Sequence, residues 1–167
     1  GPKYLNPDGS IDPKGIGTEV NNKRDESINK YSFDARMDFR FKKDVEFILS
    51  AGLNDYSGVD MTPIGAMQND HWKYYYTPAG VTWKKLFAQI YMNGNNAGDT
   101  YYVPTGGLYI DKSKFYGLQV QHSSDIRKKL KLIYGLDAFR YQPNTEYTLH
   151  GRNEDRDNIT EVGTYLQ

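Results

Sequence analysis

The chain has 167 residues, equal numbers of acidic and basic side chains, fifteen Tyr and no Cys. Zero net charge provides no global attraction to nucleic acid, and the lack of cysteine excludes disulfides, thiolate metal ligands and a thiol nucleophile. No apolar run approaches the roughly 18 residues of a membrane helix, whereas a membrane β-strand needs only about 10 residues with every second one apolar.

Residues 1–26 are polar and rich in Gly, Pro, Asn and Asp, which predicts a loop. The next segment alternates strictly: from Tyr31 to Phe41 every odd position is apolar and every even position is polar or charged. Successive side chains of a β-strand point to opposite faces, so this pattern predicts a two-faced strand. After turn residues 42–44 the alternation resumes through Asn54, which predicts a hairpin.

Further alternating segments follow along the chain. Pro78 interrupts one of them and predicts a bulge or break there, because proline cannot donate to a β-ladder. Residues 94–113 are predicted to be a long connection with one short extended piece at 100–103. The predicted strands are about 27–41, 45–54, 72–83, 86–93, 114–122, 129–141 and 158–167.

The connections between these strands alternate in length. The short ones are 42–44, 84–85 and about 124–128, and the long ones are 55–71, 94–113 and 142–157. In an up-and-down meander this arrangement places all short turns at one end of the sheet and all long loops at the other, as in bacterial outer-membrane barrels. Long structureless loops are uncommon in compact soluble domains. Alternation alone also fits a soluble β-domain with its apolar face inward.

Over about residues 27–167 the chain resembles the barrel of TonB-dependent outer-membrane receptors, of an environmental bacterial lineage. The resemblance rests on YSFDARMDFRF, on WKKLFAQIYMNGNNAGDTYY and, most specifically, on YGLDAFRYQPNTEYTLHGRNEDRDNITEVGTYLQ. It implies an all-β fold: an antiparallel up-and-down meander of about seven strands, part of a transmembrane β-barrel of about 22 strands. The plug domain of such receptors is absent from this sequence, so the chain is expected to be an internal fragment of the barrel.

The resemblance also implies a function. Such a receptor lies in the bacterial outer membrane, binds a scarce ligand of the siderophore, cobalamin or glycan class at external loops, and imports it with TonB-coupled energy. Its expected partners are membrane lipid and the TonB complex, reached through a plug domain not in this chain; no nucleic acid, cofactor or catalytic residue is expected. Two alternatives stay open: a passive outer-membrane porin or channel, and a soluble β-sheet binding or structural domain.

The strand pattern assigns residues to the two faces. The expected lipid-facing residues are Tyr31, Phe33, Met37, Phe39, Leu49, Ile90, Leu118, Leu132, Tyr134 and Leu136. The expected lumen-lining residues are Asp34, Arg36, Asp38, Arg40, Gln119, Gln121 and Asp137. The alternative for the charged positions is a solvated strand face with cross-strand ion pairs.

The last long loop is the first candidate for ligand contact, through Arg152, Glu154, Asp155 and Arg156, although an ordinary solvated loop would have the same composition. Two tyrosine groups, 101–102 and 74–76, could contact a bulky ligand or simply pack together. The three histidines, at 71, 122 and 150, have no metal-ligand spacing, so no metal site is predicted.

Overall fold

The structure is a computed structural model that describes residues 3–5, 11–12, 18–20, 24–42, 44–128, 130–149 and 151–167. Strands dominate these residues, and the helical content within them is one short 3₁₀ segment, Gly151–Arg156. The prediction of an all-β chain is therefore confirmed.

The N-terminal region contains strands where a loop was predicted. These are β1 (Lys3–Leu5), β2 (Ile11–Asp12) and β3 (Thr18–Val20). They form a small antiparallel sheet in the order β2-β1-β3. Strands of two or three residues are too short to produce a detectable period, so only the pairing partners reveal them.

The main sheet is an antiparallel meander in the order β11-β10-β9-β7-β6-β5-β4, with β8 paired to β6. This confirms the predicted meander of about seven long strands. The strands are β4 (Asn29–Lys42), β5 (Val45–Thr62), β6 (Gly65–Trp83), β7 (Leu86–Asn96), β8 (Tyr101–Tyr102), β9 (Lys114–Arg127), β10 (Leu130–Gln142) and β11 (Ile159–Leu166).

The connections differ strongly between the two ends of this sheet. At one end, called the turn end, the links are residues 43–44, 84–85 and 128–129, of which 43 and 129 lie outside the described residues. The opposite end, called the loop end, carries the β5–β6 link and the long connections 97–113 and 143–158. At the turn end β9 extends to Arg127, five residues beyond its predicted limit.

The prediction of a loop at residues 55–71 is wrong. Here β5 and β6 continue to a tight turn at 63–64 and form a long hairpin. A bulge interrupts the pairing, since Ser57 lies opposite both Asp70 and His71, and His71 adopts a positive φ of 54°. This segment has no alternation because its pairing passes through the bulge, which shifts the register by one residue and moves side chains to the other face.

At Pro78 the β5–β6 pairing breaks locally, as predicted, but no bulge forms. Pro78 pairs with Tyr91 of β7, and the β5–β6 register is the same on both sides of it, from Leu49↔Ala79 to Gly52↔Tyr76. Toward β5, where the proline has no N–H to donate, the neighbouring Thr77 hydroxyl donates a 3.1 Å hydrogen bond to the Ser50 carbonyl. The strand therefore continues in register past the missing donor.

The register gives the sheet two chemically distinct faces. Directly paired residues lie on the same face, so Met37, Leu49, Ala79, Ile90 and Leu118 form one row across five strands. We call this the apolar face and the opposite one the polar face. Among the described residues, the only buried apolar side chains are Met67 and Ala97. The described chain therefore has no conventional core between two layers.

Tyrosine rings cover glycines on neighbouring strands. On the polar face Tyr91 lies over Gly117, where an added Cβ would come within 2.2 Å of the ring. The same arrangement joins Tyr76 to Gly52 and Tyr165 to Gly135. A glycine has no side chain above the sheet, so the partner ring can lie flat against its backbone and fill the gap.

This packing predicts a site-specific cost for adding a methyl group. Gly117→Ala should destabilise the protein by about 1–3 kcal/mol, because the Tyr91 ring must move off the sheet. Gly80→Ala, on the same face, is the matched control: its Cβ would be 3.6 Å from the nearest atom and should cost little. Urea titration of both variants measures the difference, and equal stabilities would contradict the packing role.

Candidate ligand-binding face and loop layer

All ten residues predicted to face lipid lie on the apolar face. Most are strongly exposed; Tyr31 is 68%, Phe33 65%, Met37 52% and Ile90 57% accessible. Large apolar side chains are rarely exposed in such a continuous array on a soluble domain. Nothing in the described part of the chain covers this face.

The seven residues predicted to line a lumen share the polar face. On β4 and β5 this face is ionic and internally paired. Arg36 contacts Asp38 at 3.0 Å on the same strand, and Arg40 contacts Glu46 across the hairpin at 3.1 Å. The cross-strand ion pair weighed from the sequence is therefore present at Arg40.

Asp34, also on the ionic part, has a different partner. Its carboxylate accepts a hydrogen bond from the hydroxyl of Tyr76, the ring that covers Gly52. One tyrosine therefore connects β4, β5 and β6 on the polar face.

On β7, β9 and β10 the polar face is aromatic and amide-rich. The rings of Tyr91, Phe115 and Phe139 form a row, with centroids 5.9 Å apart at each step. We call these three residues the aromatic strip. Gln119 and Asp137 pair across β9 and β10 beside it, and Oδ1 of Asp137 is buried with no hydrogen-bond partner among the described atoms.

The connection 97–113 is held in place by backbone hydrogen bonds. The Ala97 N–H donates to the Asp111 carbonyl at 2.8 Å, which closes the base of the connection. The Val103 N–H donates to the Ala66 carbonyl at 2.9 Å, next to the predicted extended piece, which is β8. The loop is therefore fastened to the distal part of β6.

The connection 143–158 is joined to the preceding one. The Lys112 N–H donates to the Asn144 carbonyl at 2.7 Å, and the Ile110 N–H donates to Oγ1 of Thr148 at 3.2 Å. We call the two connections, together with the distal β5–β6 hairpin, the loop layer. Its largest fully buried side chains are polar, as expected where loops satisfy one another: Asn69, Thr100 and Thr145.

An aromatic cluster lies inside the loop layer. The ring of Tyr109 packs against Trp72 at 5.3 Å and edge-on against Tyr102 at 5.9 Å. Burial raises the pKa of Tyr109, and the nearby Asp111 carboxylate raises it further. Tyr102 therefore packs against another ring, which is one of the two roles, ligand contact or packing, that the sequence allows for it.

A cavity of about 320 Å³ opens where the loop layer meets the polar face. We call it the loop-end cavity. Its lining combines rings with carboxamide and carboxylate groups and one lysine: Tyr74, Asn93, Asn95, Asp111, Lys114, Phe115 and Tyr141. Asn95 is held in place, since its Nδ2 donates to Asp111 at 2.6 Å and its Oδ1 accepts from Trp72. The volume of the loop-end cavity is at the lower end of the range for ligand-binding pockets.

The four residues predicted to contact ligand lie on the 3₁₀ segment Gly151–Arg156. Glu154 has a structural partner: its carboxylate accepts hydrogen bonds from the backbone and hydroxyl of Thr145. Arg156 is exposed, whereas the side chains of Arg152 and Asp155, like all of His150, lie outside the described residues.

Sequence patterns did not point to the loop-end cavity. Asp111 lies in a connection without periodicity, and the rings of Tyr74, Phe115 and Tyr141 become neighbours only through pairing between their strands. The one available signal was the presence of Phe115 and Tyr141 at polar-face positions.

Comparison of the chain with protein-family models, curated proteins and solved structures gives no match. Within the described ranges no group of three or more His, Cys, Asp or Glu side chains could hold a metal ion. Among those residues no helix is long and apolar enough to span a membrane.

The Thr145–Glu154 contact makes the last connection sensitive to acid. Hydrogen bonds from Thr145 lower the pKa of Glu154, so they stabilise the connection above the ordinary Glu pKa of about 4.3, and this contribution is lost as pH falls through the lowered value. Amide exchange of residues 143–158, corrected for its intrinsic pH dependence, should therefore accelerate between about pH 5 and pH 3.

Glu154→Gln should show the faster exchange already at about pH 6 and lose the acid-dependent change, because it carries no charge to neutralise. Glu161→Gln, on exposed β11, is the control and should behave as the native chain does. An unchanged acid response in Glu154→Gln would assign the effect to another group.

Proposed function

We propose that this chain is a segment of a TonB-dependent receptor barrel in a bacterial outer membrane. Its apolar face contacts lipid and its polar face lines a lumen. Its loop layer forms part of the external surface that captures a scarce ligand. A plug domain connects the complete receptor to the TonB complex, which supplies the energy for import. No chemical reaction is part of this function.

The observation that carries the proposal is a single-layer sheet with a continuous, uncovered apolar face. Along β6 the apolar-face positions from Trp83 to Tyr75 extend over about 26 Å at roughly 3.3 Å per residue. That length is comparable to the apolar band of about 25 Å on outer-membrane barrels. A soluble sheet would need a second layer against this face.

Aromatic residues at both ends of the apolar face support the same assignment. Trp83 is 53% exposed at the turn end, where the Lys84 ammonium lies 5.9 Å from its ring, and Tyr134 stands near the same end. Tyr31 and Tyr75 lie toward the loop end. Tyr and Trp concentrate at membrane–water interfaces, where the ring is in apolar surroundings and its polar group contacts water.

The edges of the sheet support membership of a larger barrel. In the described chain β4 and β11 each pair on one side only. Unpaired backbone groups cost several kcal/mol each inside a bilayer, so further strands must continue the sheet on both sides if it spans one. The division into a turn end and a loop end corresponds to periplasmic turns and extracellular loops.

A pair of adjacent substitutions tests the lipid-facing assignment. Ile90→Arg, in the middle of the apolar face, should reduce the free energy of unfolding in phospholipid vesicles by about 2–4 kcal/mol, because a charge would enter hydrocarbon. The control is Gln89→Arg, one residue earlier on the polar face, which should cost far less.

In a water-soluble sheet the 57%-exposed side chain at position 90 would tolerate arginine within about 0.5 kcal/mol. Equal effects of the two substitutions, or a native protein that remains in aqueous solution without detergent, would refute the membrane assignment.

A further inference from the structure

The polar face of β7, β9 and β10 differs from that of β4 and β5 in charge. Over positions 87–95, 115–123 and 133–141 it carries no Lys or Arg, and its central polar groups are Gln89, Gln119, Gln121 and Asp137. The cations of the neighbouring part, Arg36 and Arg40, already contact carboxylates. This half of the face therefore suits an uncharged ligand better than an anionic one.

The aromatic strip crosses this region, which has no Lys or Arg on its polar face. The planes of Phe115 and Phe139 are inclined by only 23°, and Tyr91 continues the row from the adjacent strand. All three rings are partly exposed on an otherwise polar surface. Aromatic rings at such positions provide flat apolar contact area that needs no hydrogen bond from the ligand.

Asp137 supplies an acceptor beside the strip. Its buried Oδ1 has no donor among the described atoms, although a buried unsatisfied oxygen costs about 1–3 kcal/mol. Gln119, its cross-strand partner, adds a carboxamide that both donates and accepts. Because Oδ1 itself is buried, a ligand hydroxyl would donate to the other carboxylate oxygen of this partly exposed residue and accept from Gln119.

The loop-end cavity extends the same chemistry toward the loop layer. Phe115 belongs to both the strip and the cavity wall, so the two are continuous. Within the cavity, the Asn93 and Asn95 carboxamides and the Asp111 carboxylate lie near the Tyr74 and Tyr141 rings. The pattern is again apolar planes bordered by carboxamides and acceptors, with Lys114 as the one cation at the cavity wall.

We propose that the aromatic strip, Asp137 and the loop-end cavity form a binding track for a neutral oligosaccharide. A sugar ring has an apolar face of C–H groups, which can lie on an aromatic ring, and a rim of hydroxyls, which both donate and accept hydrogen bonds. This inference rests on the proposed function and narrows its ligand from three classes to the glycan class. An anionic ferric chelate would meet the Asp137 and Asp111 carboxylates, and the one cation along this track among the described residues is Lys114, at the wall of the loop-end cavity.

The test uses the whole protein, purified from membranes in detergent, and calorimetric titration. The neutral probes are maltoheptaose, cellohexaose, laminarihexaose and xylohexaose; ferric citrate is the anionic probe. At least one neutral probe should bind. Phe115→Val should weaken that binding about tenfold, equivalent to about 1.4 kcal/mol, and Asp137→Asn should weaken it severalfold.

Two matched controls separate the track from general damage to the fold. Tyr116→Val removes the next ring on the same strand but on the apolar face, and Asp38→Asn removes a carboxylate from the ionic part. Neither should change oligosaccharide affinity. As a second readout, saturation of the protein's aromatic protons should transfer to sugar C–H protons, and Phe115→Val should reduce that transfer.

The inference is overturned if no neutral probe binds to folded protein, or if ferric citrate binds and Phe115→Val leaves oligosaccharide binding unchanged. Either result leaves the membrane assignment intact, because that assignment depends on Ile90→Arg and Gln89→Arg in vesicles. Conversely, glycan binding by a protein that tolerates Ile90→Arg would support the track and refute the barrel.

Discussion

Cross-strand hydrogen bonding in one unshifted register is the constraint on which the rest of this structure depends. Register shifts occur near Arg40 and Leu130, at strand ends, and near Ser57, inside β5 on the loop-end side of the central rows, which contain none. A slip of one residue would transfer every side chain of a strand to the opposite face. Keeping the bulges outside the central rows therefore preserves an unbroken apolar face.

That face explains why the described chain needs no conventional core. The backbone groups of the sheet are hydrogen-bonded to neighbouring strands. The apolar side chains remain exposed, and a surrounding solvent or a partner must cover them. Under the proposed function, a bilayer supplies this cover without a second protein layer. The polar side chains on the other face then determine what the protein can bind.

The polar face combines two kinds of stabilisation in different places. On β4 and β5, ion pairs and the Tyr76–Asp34 hydrogen bond satisfy the charged groups within the sheet. On β7, β9 and β10, glycine creates room for the Tyr91 ring, and Oδ1 of Asp137 beside the aromatic strip has no hydrogen-bond partner among the described atoms. In the first part the charged groups satisfy one another, whereas the second part has the chemistry of a binding surface.

The alternation along the strands was sufficient to predict the meander and its two faces, because a period of two is local and directly visible. The predicted contrast between short and long connections holds at 97–113 and 143–158 but not at 55–71. The alternation failed where pairing was irregular. The hairpin at 55–71 contains a bulge at His71, and the strands at the N-terminus are too short to show a period. At Pro78 the predicted break is confined to the β5–β6 side, and the register is unchanged because the ladder tolerates one missing donor.

The sequence by itself thus determined which side chains share a face, since chain geometry alternates them regardless of the partner strand. Only the tertiary structure decided which residues meet across strands. Phe115 and Phe139 lie in one strip, and Asn95 and Asp111 in one cavity, because pairing and loop hydrogen bonds join segments far apart in the chain. Such contacts depend on register and on loop closure, which no local pattern of residues specifies.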